Sequence, residues 1–167
     1  MEANGNIPQE EFKKLAMDYF QQAYQKQIVG ELKEAIALYT QSIEFYPTAE
    51  AYTFLGWTHS VLGNIDQAIE LCEKAILVDP EYGNPYNDIG AYLIEKGKIE
   101  EAIPYLQKAL HAPRYESYCF PHYNLGRAYE IKGMMFRAQE EYQNSLKRNP
   151  DYHLAREALE KISSTIQ

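Results

Sequence analysis

The chain has 167 residues and a net charge of −8, and this acidic balance disfavours binding to nucleic acid or to anionic membranes, which draw on Lys and Arg for phosphate contacts. No window approaches the roughly 18 apolar residues of a membrane span, and the first residues lack the basic and apolar regions of a signal peptide. Two isolated cysteines, Cys72 and Cys119, suggest free thiols in a reducing compartment, so we expect a cytoplasmic protein.

Glycines recur at intervals of 33, 34 and 36 residues along the chain, and each is followed five residues later by an alanine. The glycines are Gly30, Gly63, Gly97 and Gly133. A repeat near this length is typical of a helical solenoid. Because glycine adopts a left-handed conformation without steric cost, each of them is predicted to end the first helix of a pair.

Other positions fall into register with these glycines. A small residue stands seven positions before each glycine, namely Ala23, Gly56, Gly90 and Gly126. A core residue stands nine positions after each one, namely Tyr39, Cys72, Leu106 and Tyr142. Proline closes the second helix of each pair, at Pro47, Pro80, Pro113 and Pro150. Each unit is therefore predicted to be a helix, a tight turn and an antiparallel helix.

In chain order, the sequence predicts a disordered tail over residues 1–8, a repeat array over 9–152, and a capping helix with a short tail over 153–167. The units of the array are expected at 16–48, 49–82, 83–118 and 119–152, with the first helix starting early, near Pro8 or Gln9. The third junction is two residues longer than the others, and it is expected either to alter the superhelix locally or to form a protruding loop.

The stretch AYTFLGW at 51–57 followed by GNIDQAI at 63–69, and the stretch YNLGRAY at 123–129, resemble the tetratricopeptide repeat family. The resemblance covers roughly residues 16–152. It implies an all-α, right-handed superhelical solenoid of four helix-turn-helix units plus a C-terminal capping helix. It also implies a concave groove lined by the first helix of each unit.

On this resemblance, the groove positions divide into an aromatic half and a polar half. The aromatic half holds Phe20, Tyr24, Phe54 and Trp57, which are suited to anchoring apolar side chains of a peptide. The polar half holds Asn84, Asn87, Asp88, Tyr123, Asn124 and Arg127. Its asparagines could pair with a peptide backbone, and Arg127 could receive a carboxylate. Packing of the aromatics on neighbouring helices, and a merely solvated face at Asn87 and Asp88, are the alternatives.

One subclass of the family grips the C-terminal carboxylate of chaperones with Lys, Asn and Arg. The matching positions here hold Phe20, Tyr24, Phe54, Asn84 and Asp88, so the resemblance does not extend to that subclass.

Catalytic and metal-binding patterns are weak in this sequence. Cys119 and His122 have a spacing found at metal sites, but no further ligands accompany them, so the pair is interpreted as incidental. We expect no enzyme activity, no metal and no cofactor. The sequence predicts a protein-interaction module, an adaptor or scaffold, that binds a peptide segment of an unidentified partner protein. The alternative is a structural protein that assembles into homo-oligomers.

Overall fold

The computed structural model describes residues 8–166, without the side chain of Ile166. The predicted disordered tail over residues 1–8 therefore lies outside the described residues except for Pro8. Within the described range the chain forms nine α-helices and no β-strand, which confirms the all-α prediction. The helices are α1 (Gln9–Ile28), α2 (Leu32–Phe45), α3 (Ala49–Val61), α4 (Ile65–Val78), α5 (Asn84–Glu95), α6 (Ile99–His111), α7 (Cys119–Ile131), α8 (Met135–Arg148) and α9 (His153–Ile166).

The chain divides into two compact units, unit 1 over Met1–Asp79 and unit 2 over Pro80–Gln167. In unit 1, α1 pairs with α2 and α3 pairs with α4, while α2 also packs against α3. In unit 2, α5 pairs with α6 and α7 with α8, α6 packs against α7, and α9 packs against α8. The first helices α5 and α7 also contact each other directly.

The turn inside each helix pair is set by glycine. Gly30, Gly63, Gly97 and Gly133 have φ angles of 81°, 83°, 73° and 72°, which confirms the predicted left-handed helix ends. At the second turn the Gly63 amide donates to the Ser60 carbonyl and the Asn64 amide donates to the His59 carbonyl, both at 2.9 Å. This is the Schellman arrangement, and it satisfies carbonyls that the end of the helix would otherwise leave unpaired. The other three turns repeat the same two hydrogen bonds.

The two helices of a pair meet where a small residue faces a larger core residue sixteen positions later. At the third pair an added Cβ on Gly90 would lie 2.4 Å from Cδ2 of Leu106, and Leu106 is fully buried. At the second pair a Cβ on Gly56 would lie 3.0 Å from the Ala68 carbonyl oxygen, 3.3 Å from Cys72 Sγ and 3.4 Å from Leu71 Cβ, which are longer contacts. The helices of the third pair therefore approach so closely that only glycine fits between them.

The longer third junction does not protrude. The Gly83 amide donates to the Arg114 carbonyl at 3.1 Å, and the Arg114 amide donates to the Glu81 carbonyl at 3.0 Å, so the loop docks on the segment before α5. Tyr115, 6% exposed, packs onto Gly83, where an added Cβ would lie 2.4 Å from the Cβ of Tyr115. The loop that follows α6 thus packs against the segment that precedes α5, the first helix of the same pair.

Replacing Gly90 by Ala is expected to destabilise the protein by about 1–2 kcal/mol, because overpacking at so short a contact costs about 2–3 kcal/mol and the gain in helix propensity returns about 1 kcal/mol. The matched control is Gly56→Ala, whose longer contacts predict a smaller loss of stability than at Gly90. Urea unfolding followed by far-ultraviolet circular dichroism measures both. Equal stabilities of the two variants would contradict the proposed difference in helix approach.

Candidate functional site

Three of the four aromatic residues predicted to line the groove in unit 1, Phe20, Tyr24 and Phe54, form one cluster between α1 and α3. The Phe20 and Phe54 rings lie 5.3 Å apart edge to face, and the Tyr24 and Phe54 rings lie 5.7 Å apart. Phe20 and Phe54 also contact the ring of Tyr39, which is fully buried. Phe20 and Phe54 are half-buried, so they form the floor of the groove as well as part of the packing between helices.

Above this floor, three large side chains remain open to solvent. Met17 is 55% exposed, Tyr24 is 40% exposed and Trp57 is 41% exposed. A cavity of about 300 Å³ opens beside Met17 and Phe20. Its lining is completed by Lys13, Ala16, Ser42, Tyr46, Thr48 and Glu50. Unit 1 therefore combines a rigid aromatic floor, exposed apolar side chains and a pocket large enough for an apolar side chain of a ligand.

The polar groups between α1 and α3 are already hydrogen-bonded within the protein. The Gln27 side-chain carbonyl accepts from the Tyr39 hydroxyl at 2.9 Å. The Thr58 hydroxyl lies 3.2 Å from the same Gln27 oxygen and donates its proton to the Phe54 carbonyl at 2.8 Å. The Thr53 hydroxyl donates to the Ala49 carbonyl at 2.7 Å. Burial raises the pKa of the Tyr39 hydroxyl well above its usual range, so this group remains a neutral donor. The groove of unit 1 thus offers mainly apolar surface to a ligand.

The polar residues predicted for the second half of the groove form a hydrogen-bonded chain in unit 2. Arg127 Nη1 donates to Asn124 Oδ1 at 3.2 Å, and Asn124 Nδ2 donates to Asn87 Oδ1 at 3.0 Å. Asn87 Nδ2 then donates to Asp88 Oδ1 at 3.3 Å. Asn87 is 9% exposed and Asn124 is 6% exposed. These two amides therefore pair with each other across α5 and α7, which differs from the expectation that they face a peptide backbone.

Arg127 is half-buried, and its guanidinium lies over the Tyr123 ring, 5.9 Å from the ring centroid. Tyr123 in turn packs edge to face against Tyr152, with ring centroids 5.2 Å apart. Asn84 lies at the start of α5 and lines an open cavity of about 440 Å³ with the third-junction loop. Asn87, Asp88, Asn124 and Arg127 thus form one series of hydrogen bonds, and Tyr123 packs beside Arg127. Asn84 lies outside this series, beside the loop of the third junction.

Asp88 has a carboxyl group with a raised pKa. It is half-buried, and burial raises the pKa of its carboxyl to about 7, a shift that the donor from Asn87 partly opposes. The pKa of Tyr115 is raised too, mainly by burial and then by the negative charge of Asp88. Near neutral pH, therefore, Asp88 exchanges between its protonated and charged forms.

Two exposed apolar residues were not among the predicted groove residues, although their helical spacing from those residues indicates the same face. Ile28 follows Tyr24 by four residues on α1, and Val61 follows Trp57 by four residues on α3. Ile28 is 60% exposed and Val61 is 51% exposed, so both extend the apolar surface to the helix ends. The sequence also carries no indication that Tyr115 is buried, because this residue lies in an irregular loop without a periodic pattern of apolar residues.

Among residues 8–166 no group of three or more His, Cys, Asp or Glu side chains is arranged to hold a metal ion. His122 instead places its Nδ1 2.7 Å from Oε2 of Glu141, and Cys119 is buried. None of the helices in this described range combines the length and the apolar character needed to cross a membrane.

Comparison with known proteins supports the fold. The small glutamine-rich tetratricopeptide repeat-containing protein 2 of Saccharomyces cerevisiae is 35% identical over 108 residues, which make up 63% of this chain and 31% of that protein. The chain thus spans about a third of the length of this curated relative. The solved structure of pilF from Pseudomonas aeruginosa has a TM-score of 0.86 at 20% identity and covers 93% of this chain and 70% of that one.

A further solved structure, YrrB, is described as a TPR protein with an unusual peptide-binding site. It has a TM-score of 0.69 at 25% identity, with 93% of this chain and 80% of that chain covered.

The fold is that of an all-α helical-repeat solenoid. Two models of one family, described as the tetratricopeptide repeat, match residues 49–82 and residues 84–112 and 121–152. Together these segments make up more than half of the chain. The chain belongs to the tetratricopeptide repeat family.

Asp88→Asn is expected to stabilise the protein at about pH 8 by up to about 4 kcal/mol, because the folded protein then no longer holds a half-buried charge. The pKa of an unfolded Asp is about 3.9, so the native wild type binds more protons than its unfolded chain between about pH 4 and pH 7. Wild-type stability should therefore fall as the pH rises through this window and level off above it.

Urea unfolding of both proteins across this pH range measures the effect, and the two curves should converge near pH 4. Parallel curves over the whole range would show that the pKa of Asp88 is not raised.

Proposed function

We propose that the chain is a non-enzymatic adaptor module that binds a peptide segment of a partner protein, with the groove of unit 1 as its main binding surface. The observation that supports this is the exposed group of Met17, Tyr24 and Trp57 above the floor of Phe20 and Phe54. Aromatic side chains beside an apolar cavity are the usual anchors for the side chains of a bound peptide.

In unit 2 the proposed contacts are those that the polar chain leaves accessible. Arg127 is the group offered to an acidic side chain or carboxylate, while Asn124 and Asn87 hold Arg127 and Asp88 in position through their hydrogen bonds. Tyr123 and Asn84 form the edges of this second surface. Asn124→Ala should therefore act indirectly, by releasing Arg127 from its position.

Membership of the tetratricopeptide repeat family supports a role in protein–protein interaction. The description of the similar protein YrrB as having a peptide-binding site supports a peptide as the ligand. We further propose that the protein works in the cytoplasm, because its two cysteines are free and buried, as expected in a reducing compartment. The partner is defined here only as a protein that carries the bound segment.

The test is to select peptides from a random library displayed on phage and to measure their affinity for point variants by isothermal titration calorimetry. Trp57→Ala and Tyr24→Ala should each weaken a selected peptide by at least about tenfold, the size of effect found at interface anchors. Leu77→Ala is the control, since this 84% exposed side chain lies on α4, the second helix of its pair.

Circular dichroism must show that each variant retains the helical fold. Peptides that bind wild type, Trp57→Ala and Tyr24→Ala equally would rule out the groove of unit 1 as the binding surface.

Self-assembly is the second candidate function, because the same exposed apolar side chains could contact another copy of the chain. Sedimentation velocity over a wide range of concentrations separates the two functions. An adaptor should remain monomeric, whereas assembly that Met17→Ser and Trp57→Ser abolish would favour the structural role.

A further inference from the structure

Five of the exposed apolar side chains of unit 1 lie on the first helices of its two pairs, and we call this set the apolar stripe. It consists of Met17, Tyr24 and Ile28 on α1 and of Trp57 and Val61 on α3. Successive members on each helix are separated by four or seven residues, so they lie on one face of their helix. The half-buried rings described above fill the space between the two rows.

The two helices that carry the stripe run in the same direction. Phe20 of α1 contacts Phe54 of α3, and further along both helices Gln27 contacts Thr58. Contacts that advance together along two helices identify a parallel pair. From Met17 to Ile28 the stripe is about 16 Å long, or three helical turns, at a rise of about 1.5 Å per residue.

The stripe offers few hydrogen-bond partners to an extended peptide. The hydroxyls of Thr53, Thr58 and Ser60 donate to carbonyls of α3 itself, and the Gln27 side-chain carbonyl accepts from the Tyr39 hydroxyl within the protein. The amide groups beside the stripe are those of the exposed Gln21, Gln22 and Gln25, all on α1. An extended backbone needs partners along its length, whereas a helix satisfies its own backbone groups. This difference favours a helical ligand.

The two units differ in net charge, and the charge of unit 1 indicates which charge the polar face of its ligand carries. Unit 1 contains twelve acidic and five basic residues, whereas unit 2 contains twelve acidic and eleven basic residues. Two of the lysines of unit 1 are neutralised by neighbouring glutamates, Lys13 by Glu10 at 3.0 Å and Lys26 by Glu34 at 2.7 Å. Asp18 lines an open cavity next to Phe20 and Tyr24, and Glu50 lines the smaller cavity beside Met17. A positively charged ligand complements this surface.

We infer that the segment bound by unit 1 is a basic amphipathic helix of about three turns, which lays apolar side chains along the stripe and Lys or Arg side chains toward the acidic surroundings. This inference rests on the proposed function and specifies its ligand. It also extends the binding surface beyond the predicted site residues to Ile28 and Val61.

The probe is a phage library of random peptides of about sixteen residues, long enough to cover the stripe as a helix. Clones are kept when they bind the wild-type protein and fail to bind the Tyr24→Ala, Trp57→Ala double variant. The enriched sequences should place apolar residues three or four positions apart and carry net positive charge. Synthetic copies should gain helical circular dichroism on binding, and proline at the centre should weaken them at least about tenfold.

Ile28→Ala should also weaken these peptides, while Val29→Ala serves as the matched control. Val29 is an equally exposed neighbour, 67% exposed, but lies at the helix end on the side of Gln25 rather than Tyr24. Higher salt should reduce the affinity, because charge attraction between exposed groups is screened. Loss of binding in Ile28→Ala but not in Val29→Ala supports the extended stripe.

The outcomes separate this inference from the proposed function. If no clone depends on Tyr24 and Trp57, the proposed function itself fails. If clones depend on them but alternate apolar residues at every second position and tolerate proline, the ligand is extended and the inference of a helix is overturned. Helical clones enriched in Asp and Glu would overturn the basic character of the ligand.

Discussion

The close approach of the two helices in each pair is the constraint on which the rest of the structure depends. The small residue at the contact is Ala23 or Gly56 in unit 1, and in unit 2 an added Cβ on Gly90 or Gly126 would lie 2.4 Å from Leu106 or Tyr142, so there the absence of a side chain sets the distance between the helices. The Schellman turn at each glycine hinge brings the helices back to this contact. One face of every first helix is thereby committed to its partner, and the opposite face is left for other contacts.

The use of that free face differs between the two units. In unit 1 it carries aromatic and aliphatic side chains, and the polar groups beneath them bond to one another. In unit 2 it carries a hydrogen-bonded chain from Arg127 to Asp88, which makes the surface between α5 and α7 rigid and polar. A buried polar chain of this kind specifies one arrangement of helices, because each amide would be costly to leave unpaired. An apolar surface open to solvent instead favours contact with a ligand.

Much of the fold could be predicted because its determinants are local and periodic. The glycine turns and the small residues opposite core residues repeat in register, so the same helix boundaries are predicted independently in each repeat. The groove positions followed from the same register. What could not be predicted depends on contacts between distant residues. Asn87 and Asn124 are 37 positions apart, and only the packing of α5 against α7 reveals that they bond to each other. The packing of Tyr115 on Gly83 could not be predicted either, because Tyr115 lies in an irregular loop without a sequence pattern.

The most direct test of this account is methyl and amide NMR of the protein bound to a selected peptide. The largest chemical-shift changes should fall on the methyl groups of Met17, Ile28 and Val61 and on the indole of Trp57, the one tryptophan of the chain. The exposed Leu77 on α4 should remain unchanged. Changes centred on α2 and α4, with Met17 and Trp57 unaffected, would contradict the claim that the free face of the first helices forms the binding surface.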